Sequence, residues 1–82
     1  MEKQIGKVIH WYDKIGVAVI KLTDTLKKGD NIKIKREKDE FEDTITSMQL
    51  DHADVDSAGK GSEVAIKLSS KAHDGAVVYR VT

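Results

Sequence analysis

The chain has 82 residues, with 14 basic and 14 acidic side chains, a formal net charge of +0, and neither cysteine nor proline. This length is that of a single small domain, residues 1–82. The charge balance argues against a strong nonspecific nucleic-acid binder, and the lack of cysteine excludes disulfides and thiolate metal ligands. No stretch approaches the roughly 18 apolar residues of a membrane span, and the polar N-terminus is not a secretory signal. The sequence therefore predicts a cytoplasmic protein without a membrane segment.

The two halves of the chain carry opposite charge. Residues 1–38 hold ten Lys or Arg against five Asp or Glu, whereas residues 39–82 hold four against nine. Either both halves form solvated strand faces, or the folded domain has a basic and an acidic side that would orient a charged partner.

The first part of the chain predicts two strands joined by a tight turn. Residues 4–12 are rich in Ile, Val, Trp and Tyr, and Gly6 within them marks a bulge or a close backbone contact. Asp13-Lys14 has the length of a two-residue hairpin loop. Residues 15–22 form the second strand, and its apolar side chains on both faces indicate that part of it is covered on both sides.

A glycine turn separates this strand from the next. Leu26-Lys27-Lys28-Gly29-Asp30 lies between two runs of alternating apolar residues. It predicts a hairpin because Gly adopts positive φ without steric cost. Residues 31–36 then alternate isoleucine inward with lysine outward, and residues 37–40 form a charged loop.

The remaining sequence predicts three more strands. Residues 41–50 form one strand whose inward face changes parity, as a bulge near Thr46-Ser47 would produce. A polar loop leads to a strand over residues 63–68. The last strand covers residues 76–81, and its inward side chains are Val77, Tyr79 and Val81. Six short strands without a convincing helix predict an all-β fold, a small closed antiparallel β-barrel of six to seven strands.

Aromatic side chains cluster at the end of the first predicted strand. Trp11 and Tyr12 are adjacent, so they point to opposite faces and one of them is expected in the core. The exposed one, beside Lys14, either contacts a nucleobase or a protein partner, or covers one end of the barrel. All three residues are candidate contacts.

The densest basic set lies on the third predicted strand. Lys33 and Lys35 share its outer face, about 6.5–7 Å apart, and Arg36 follows. This row either meets the phosphate backbone of tRNA or rRNA, or only keeps the strand soluble while Glu37 and neighbouring acids screen it.

The sequence offers no motif for catalysis or for a cofactor. The nearest imitation of a phosphate-binding loop, residues 59–62, opens a strand rather than a helix. The histidines His10, His52 and His73 lack the spacing of a metal site, and nothing marks Ser69-Ser70 as an activated nucleophile. We expect no metal, no cofactor, no bound nucleotide and no enzymatic activity.

Five phrases carry a resemblance to a known family. They are Ile5-Gly6-Lys7-Val8, Lys14-Ile15-Gly16-Val17-Ala18-Val19, Leu26-Lys27-Lys28-Gly29-Asp30, Ser47-Met48-Gln49 and Gly61-Ser62-Glu63-Val64. From Gly6 to Val81 the chain resembles the second, β-barrel domain of translational GTPases such as elongation factor Tu and initiation factor two, and looks closest to stand-alone translation elongation factor-like proteins. A similar barrel resembles the C-terminal module of some collagenase-like peptidases.

The resemblance implies a nonenzymatic binding module that contacts tRNA, rRNA or a ribosome-associated protein. In translation factors this domain helps to hold the aminoacylated end of tRNA against the GTPase domain, and no residue of that contact transfers to this chain. The alternative is a protein-interaction adaptor that works in trans with a GTPase, a collagenase-like peptidase or an RNA-modifying enzyme.

Overall fold

The computed structural model describes residues 2–81, which form ten strands and no helix. All of the strand pairings are antiparallel, so the expected all-β antiparallel fold is confirmed. The strands are β1 Glu2–Tyr12, β2 Val17–Leu22, β3 Leu26–Lys27, β4 Asn31–Arg36, β5 Asp39–Thr44, β6 Met48–Leu50, β7 Ala53–Asp54, β8 Ser57–Ala58, β9 Glu63–Lys67 and β10 Val77–Val81.

Eight strands form one sheet in the order β5-β4-β10-β1-β2-β9-β6-β7, and β3 pairs with β8 in a separate ribbon. The sheet therefore has two ends, β5 and β7. The predicted closure into a barrel of six to seven strands is not found in the part of the chain that the structure describes. One apolar core nevertheless contains side chains from both ends of this open sheet and from the β3–β8 ribbon.

The eight-stranded sheet stays open, with β5 at one end and β7 at the other, because the chain leaves the sheet between β5 and β6. β5 pairs with β4 at one end of the sheet, whereas β6 pairs with β9 and β7 near the other. A single bulged strand over residues 41–50 is therefore wrong. Ile45 within the break and Met48 directly after it are buried with exposures of 1% and 0%, and the break accounts for the change of parity between them.

Residues 28–30 connect the two ends of the sheet through backbone hydrogen bonds. Gly29 N donates to Ile45 O at 2.8 Å, Ile45 N donates to Asp30 O at 2.9 Å, and Lys28 N donates to Asp56 O at 2.8 Å. Gly29 has a φ of 90°, so the predicted glycine turn is present. It does not close a hairpin between β2 and β4, because β2 lies between β1 and β9 while β4 lies between β5 and β10.

The turn between β1 and β2 has four residues rather than the predicted two. Residues 13–16 form this turn, in which Gly16 N donates to Tyr12 O at 3.0 Å. Gly16 adopts a φ of 66°, which glycine reaches without the strain of a Cβ. Ile15, expected in the second strand, is consequently 60% exposed.

The predicted loops contain two tight hairpins. Asp51 and His52 have φ values of 52° and 66°, the type I′ geometry that suits a two-residue turn, and they join β6 to β7. Glu37, with a φ of 56°, begins the two-residue turn between β4 and β5. Neither turn contains Gly or Asn-Gly, which is why the sequence pattern did not reveal them.

The inward positions of β10 are the reverse of those expected. Ala76 and Val78 are 1% and 0% exposed. The side chains that were expected inside are only half-buried, and these are Val77, Tyr79 and Val81. Apolar side chains lie on both faces of β10, Val78 on one and Val77, Tyr79 and Val81 on the other, so alternation alone cannot distinguish the faces.

β1 and β2 approach each other closely at Gly6. A Cβ at this position would lie 2.7 Å from Ile20 Cγ2 and 2.8 Å from Lys21 O. The register of β1 against β10 also shifts between Gln4 and Gly6. The predicted bulge and the predicted close backbone contact are both confirmed.

A carboxylate fastens β5 to the loop after β9. Asp43 Oδ2 accepts hydrogen bonds from Ser69 N at 2.7 Å and Ser69 Oγ at 2.9 Å, while its Oδ1 accepts one from Thr44 N at 2.8 Å. Partial burial raises the pKa of Asp43, but the hydrogen bonds from Ser69 and Thr44 outweigh this effect and lower the pKa below its ordinary value.

We expect Asp43→Asn to lower the free energy of unfolding by about 1 kcal/mol at pH 7, because an amide accepts these hydrogen bonds less strongly. The pKa of Asp43 is depressed by folding, so its contribution is present above the unfolded pKa of about 4 and is lost as the pH falls through the folded pKa. Urea titrations at pH 7 and at about pH 2 test this expectation. The exposed Asp39→Asn is the control, and a difference that persists undiminished in acid would contradict the assignment.

Candidate ligand-binding groove

An apolar pit lies at the end of the sheet where β4, β5 and the loop before β10 meet. Its volume is about 150 Å³. The sheet order explains its position, because β10 separates β4 from β1 and the loop that precedes β10 crosses this gap. The lining residues are Ile34, Arg36, Asp39, Phe41, Lys71, Ala72, His73 and Ala76.

The pit opens into a shallower channel that reaches the end of β1. The channel shares with the pit Arg36, Lys71, Ala72 and His73, and it adds Trp11, Asp13 and Asp74. We call the pit and the channel together the end groove. Three separate parts of the chain build it, so no short motif in the sequence marks the site.

Trp11 forms one wall of the end groove. It is half-buried against the core, and its Nε1 donates a hydrogen bond to Asp13 Oδ1 at 2.7 Å. Lys71 Nζ lies 3.9 Å from the same oxygen. Tyr12 is 46% exposed, so the expectation that one of the two adjacent aromatic side chains packs inward and the other faces outward is confirmed.

Two alanines hold the loop that carries the basic side chains of the groove. Ala72 and Ala76 are both 1% exposed, and they anchor the loop in the core. Gly75, with a φ of 88°, donates its N–H to a carbonyl of β1 at 2.7 Å. Lys71 and His73 flank the buried Ala72, and both reach the lining of the pit.

The cations of the end groove are only weakly engaged by the protein. Among residues 2–81, Arg36 makes no ion pair, and Lys71 has only Asp13 at 3.9 Å. Asp39 is the one carboxylate that lines the pit. A guanidinium stays charged at every ordinary pH and presents five N–H donors, so the mouth of the pit offers charged donors to an anionic group.

The lysines of the predicted basic row on β4 face carboxylates, whereas its Arg36 makes no ion pair among residues 2–81. Lys33 Nζ donates to Glu2 Oε2 at 2.5 Å. This hydrogen bond raises the pKa of Lys33 and lowers the pKa of Glu2. On β5, Glu42 stands opposite Lys33 and Glu40 stands opposite Lys35. The two oppositely charged halves of the sequence thus interleave in the sheet.

The structure brings two of the predicted contact residues, Trp11 and Arg36, into the end groove. The other four lie elsewhere: Tyr12 faces outward from β1, Lys14 lies in the exposed β1–β2 turn, and Lys33 and Lys35 lie on β4 away from the groove lining.

Sequence reasoning did not single out Phe41, Lys71 or His73 as a cluster. The available signal was weak. Phe41 is the only phenylalanine of the chain, and an alanine between Lys71 and His73 is the one apolar residue in a polar loop. Only the packing of that alanine brings the three side chains together.

A second surface of interest is the outer face of β1, β2 and β9. On β2, Val17 and Val19 point away from the core and remain half-buried. Val17 pairs with Tyr12 of β1, and Val19 pairs with Ala65 of β9. We call this surface the outer patch, and its members are Tyr12, Ile15, Val17, Val19 and Ala65. The predicted two-sided apolar character of this strand is confirmed, although on this side its cover is incomplete.

The described residues show few other features that could support metal binding or catalysis. Across residues 2–81, no group of three or more His, Asp or Glu side chains is placed to hold a metal ion. The hydroxyl of Ser69 donates to Asp43 rather than to a histidine. Within the same residues, no helix has the length and apolar character that crossing a bilayer requires.

The fold matches that of a small domain found in peptidases. Two crystal structures of the C-terminal domain of a putative U32 peptidase from Geobacillus thermoleovorans superpose with TM-scores of 0.91 and 0.87, the second being the selenomethionine variant. The alignments cover 98% and 93% of this chain and 93% and 96% of those domains, with sequence identities of 14% and 15%. At this identity the similarity establishes the fold alone.

A sequence relative points to the same kind of protein. The uncharacterized protease MJ0090 of Methanocaldococcus jannaschii is 40% identical to this chain over 77 residues, which are 93% of this chain. The chain spans 19% of the length of that protease. No profile of a known protein family matches the chain.

The inferred kinship with translation factors is therefore wrong. The relative detected by sequence is a protease, and the matching structures are C-terminal domains of a putative U32 peptidase rather than the second domain of elongation factor Tu. The phrases that suggested a translation factor form turns and strands that any small β fold of similar geometry would require. The turn at Gly29, with its φ of 90°, is one example. The resemblance to the C-terminal module of collagenase-like peptidases agrees better with these findings.

Proposed function

We propose that this domain is a noncatalytic interaction module that binds the body of a U32-type protease. The supporting observation is the 40% identity between 93% of this chain and a segment that makes up 19% of an archaeal protease. In that protease the remaining four-fifths of the chain are available to surround the corresponding segment. The domain described here has the same fold as the C-terminal domain of a putative U32 peptidase, and its groove and outer patch offer surfaces for binding.

The outer patch is the surface proposed to face the protease. Its half-buried valines and the 46% exposed Tyr12 lie on the outer sheet face, beside His10 of β1 and Lys67 of β9. Contiguous exposed apolar surface on a small domain marks a contact with another protein. A tyrosine at the centre of such a contact contributes a large apolar area together with a hydroxyl for hydrogen bonding.

Affinity capture from the cells that produce this protein tests the proposal. We expect the tagged domain to retain a U32-type protease after treatment with RNase. We expect Val19→Lys to abolish retention, because it places a charge in the centre of the patch. Lys60→Gln, in the turn before β9, is the matched control and should retain the protease. Thermal melts of both variants confirm that each is folded.

The capture experiment also addresses the RNA alternative. Recovery of tRNA or rRNA that is lost on RNase treatment, with no protease retained, would overturn the proposed function in favour of RNA contact. Equal retention of the protease by Val19→Lys and by the unmodified domain would instead show that the outer patch is not the contact surface.

A further inference from the structure

We propose that the end groove binds the carboxy-terminal end of a peptide whose last side chain is apolar. This inference rests on the proposed role as an interaction module of a protease, since hydrolysis of a peptide bond releases a fragment that ends in a new carboxylate. The outer patch and the end groove are separate surfaces, so the domain can hold the protease with one and a peptide with the other.

The volume and lining of the pit define the apolar part of the ligand. Ile34, Phe41, Ala72 and Ala76 line a space of about 150 Å³. Apolar cavities of about this volume accept a benzene-sized group. The pit therefore has room for the side chain of a leucine or a phenylalanine against the half-buried Phe41, above a floor formed by the almost fully buried Ile34, Ala72 and Ala76. Placing a charged side chain against that floor would cost its hydration.

The charged groups at the mouth define the polar part of the ligand. Arg36 has no ion-pair partner among residues 2–81, and Lys71 Nζ is 3.9 Å from its single partner, Asp13. His73 lies on the same rim. A guanidinium pairs with a carboxylate through two parallel hydrogen bonds, so an anionic group adjacent to an apolar side chain satisfies both parts of the site.

The remaining charges of the groove argue for a peptide rather than a nucleic acid. Asp13, Asp39 and Asp74 stand among Arg36 and Lys71 in the same lining. At the pit the two permanent cations Arg36 and Lys71 exceed the single carboxylate Asp39, which suits one carboxylate of a ligand, whereas Asp13 and Asp74 line only the channel. The groove as a whole therefore has no excess of basic side chains, on which the binding of a polyanion depends. The carboxylates of the groove do not repel the backbone of a peptide, because they can accept hydrogen bonds from its N–H groups.

The fluorescence of Trp11 supplies a direct test, because Trp11 is the only tryptophan of the chain and forms a wall of the groove. The probes are an N-acetylated tetrapeptide that ends in leucine with a free carboxylate, the same peptide as its carboxamide, and the same peptide ending in lysine. Hexauridylate is the nucleic-acid probe. Calorimetry of each mixture ensures that binding without a change in fluorescence is also detected.

We expect saturable binding of the leucine free acid, and affinity at least roughly tenfold weaker for the carboxamide, as loss of one charge-assisted hydrogen bond implies. The lysine peptide keeps the carboxylate but should also bind more weakly, because its charged side chain loses hydration against the apolar floor of the pit. Arg36→Gln should weaken binding of the leucine free acid by a similar factor without changing the melting temperature of the domain. Lys60→Gln, near the opposite end of β2 from the groove, should bind as the unmodified domain does.

Three outcomes would overturn the inference: equal affinity for the acid and the carboxamide, binding that Arg36→Gln leaves unchanged, and tighter binding of hexauridylate than of the peptide. None of them bears on retention of the protease, which depends on the outer patch. Failure of the peptide to bind while the protease is still captured would remove this inference and leave the proposed function standing.

Discussion

Gly6→Ala is expected to destabilise the domain by about 1–3 kcal/mol, the range found for an added methyl in a packed site that cannot give way. The new Cβ would lie 2.7 Å from Ile20 Cγ2 and 2.8 Å from Lys21 O. The second contact is with backbone, so rotation of a side chain cannot relieve it. β1 and β2 would have to separate at the centre of the sheet, and chemical unfolding measures the cost.

Gly59→Ala is the matched control for this substitution. A Cβ at Gly59 meets nothing within 4 Å, and its φ lies outside the left-handed region. Replacement there should leave stability unchanged or raise it by about 0.4–1 kcal/mol, because alanine restricts the unfolded chain. Similar loss of stability in both variants would show that the close approach of β1 and β2 at Gly6 does not exist in solution.

The second large effect is expected at the break between β5 and β6. Ile45→Ala should lower the free energy of unfolding by about 2–5 kcal/mol, which combines lost apolar burial with the cavity that remains. Ile45 is 1% exposed, and its backbone bonds with Gly29 and Asp30 hold it in place. The surroundings therefore cannot readily collapse into the vacated space. A fall in melting temperature of more than about 8 °C is expected for a domain of this size.

Ile15→Ala makes the same chemical change at an exposed position. Ile15 is 60% exposed in the β1–β2 turn, so its truncation should alter stability by no more than about 0.5 kcal/mol. Comparable losses in the two variants would contradict the burial of Ile45 in the crossing between the ends of the sheet.

Strands with one buried face were predictable from the sequence. The alternation of β4 places Ile32 and Ile34 in the core as expected, because a period of two identifies the buried face when the other face is polar. β10 fails this test since both of its faces are apolar, and its burial pattern follows from its place between β4 and β1. The crossing after Thr44 was also hidden, because a bulge and a break change parity in the same way.

The end groove was only partly predictable. The adjacent aromatic pair Trp11 and Tyr12 identified one wall, since neighbouring residues of a strand face opposite sides. The association of Trp11 with Arg36, Lys71 and His73 depends on which strands are neighbours in the sheet. Pairing between distant segments leaves no periodic signal in the chain, so the composition of the groove had to come from the structure.

The terminal strands of the sheet have a consequence for how copies of this domain behave toward one another. β7 has only two residues, too few to template a neighbour, and one face of β5 carries the exposed Glu40 and Glu42. Two copies that met through β5 would bring rows of carboxylates together. Electrostatic repulsion at β5 and the short length of β7 therefore disfavour pairing between the sheet edges of two copies.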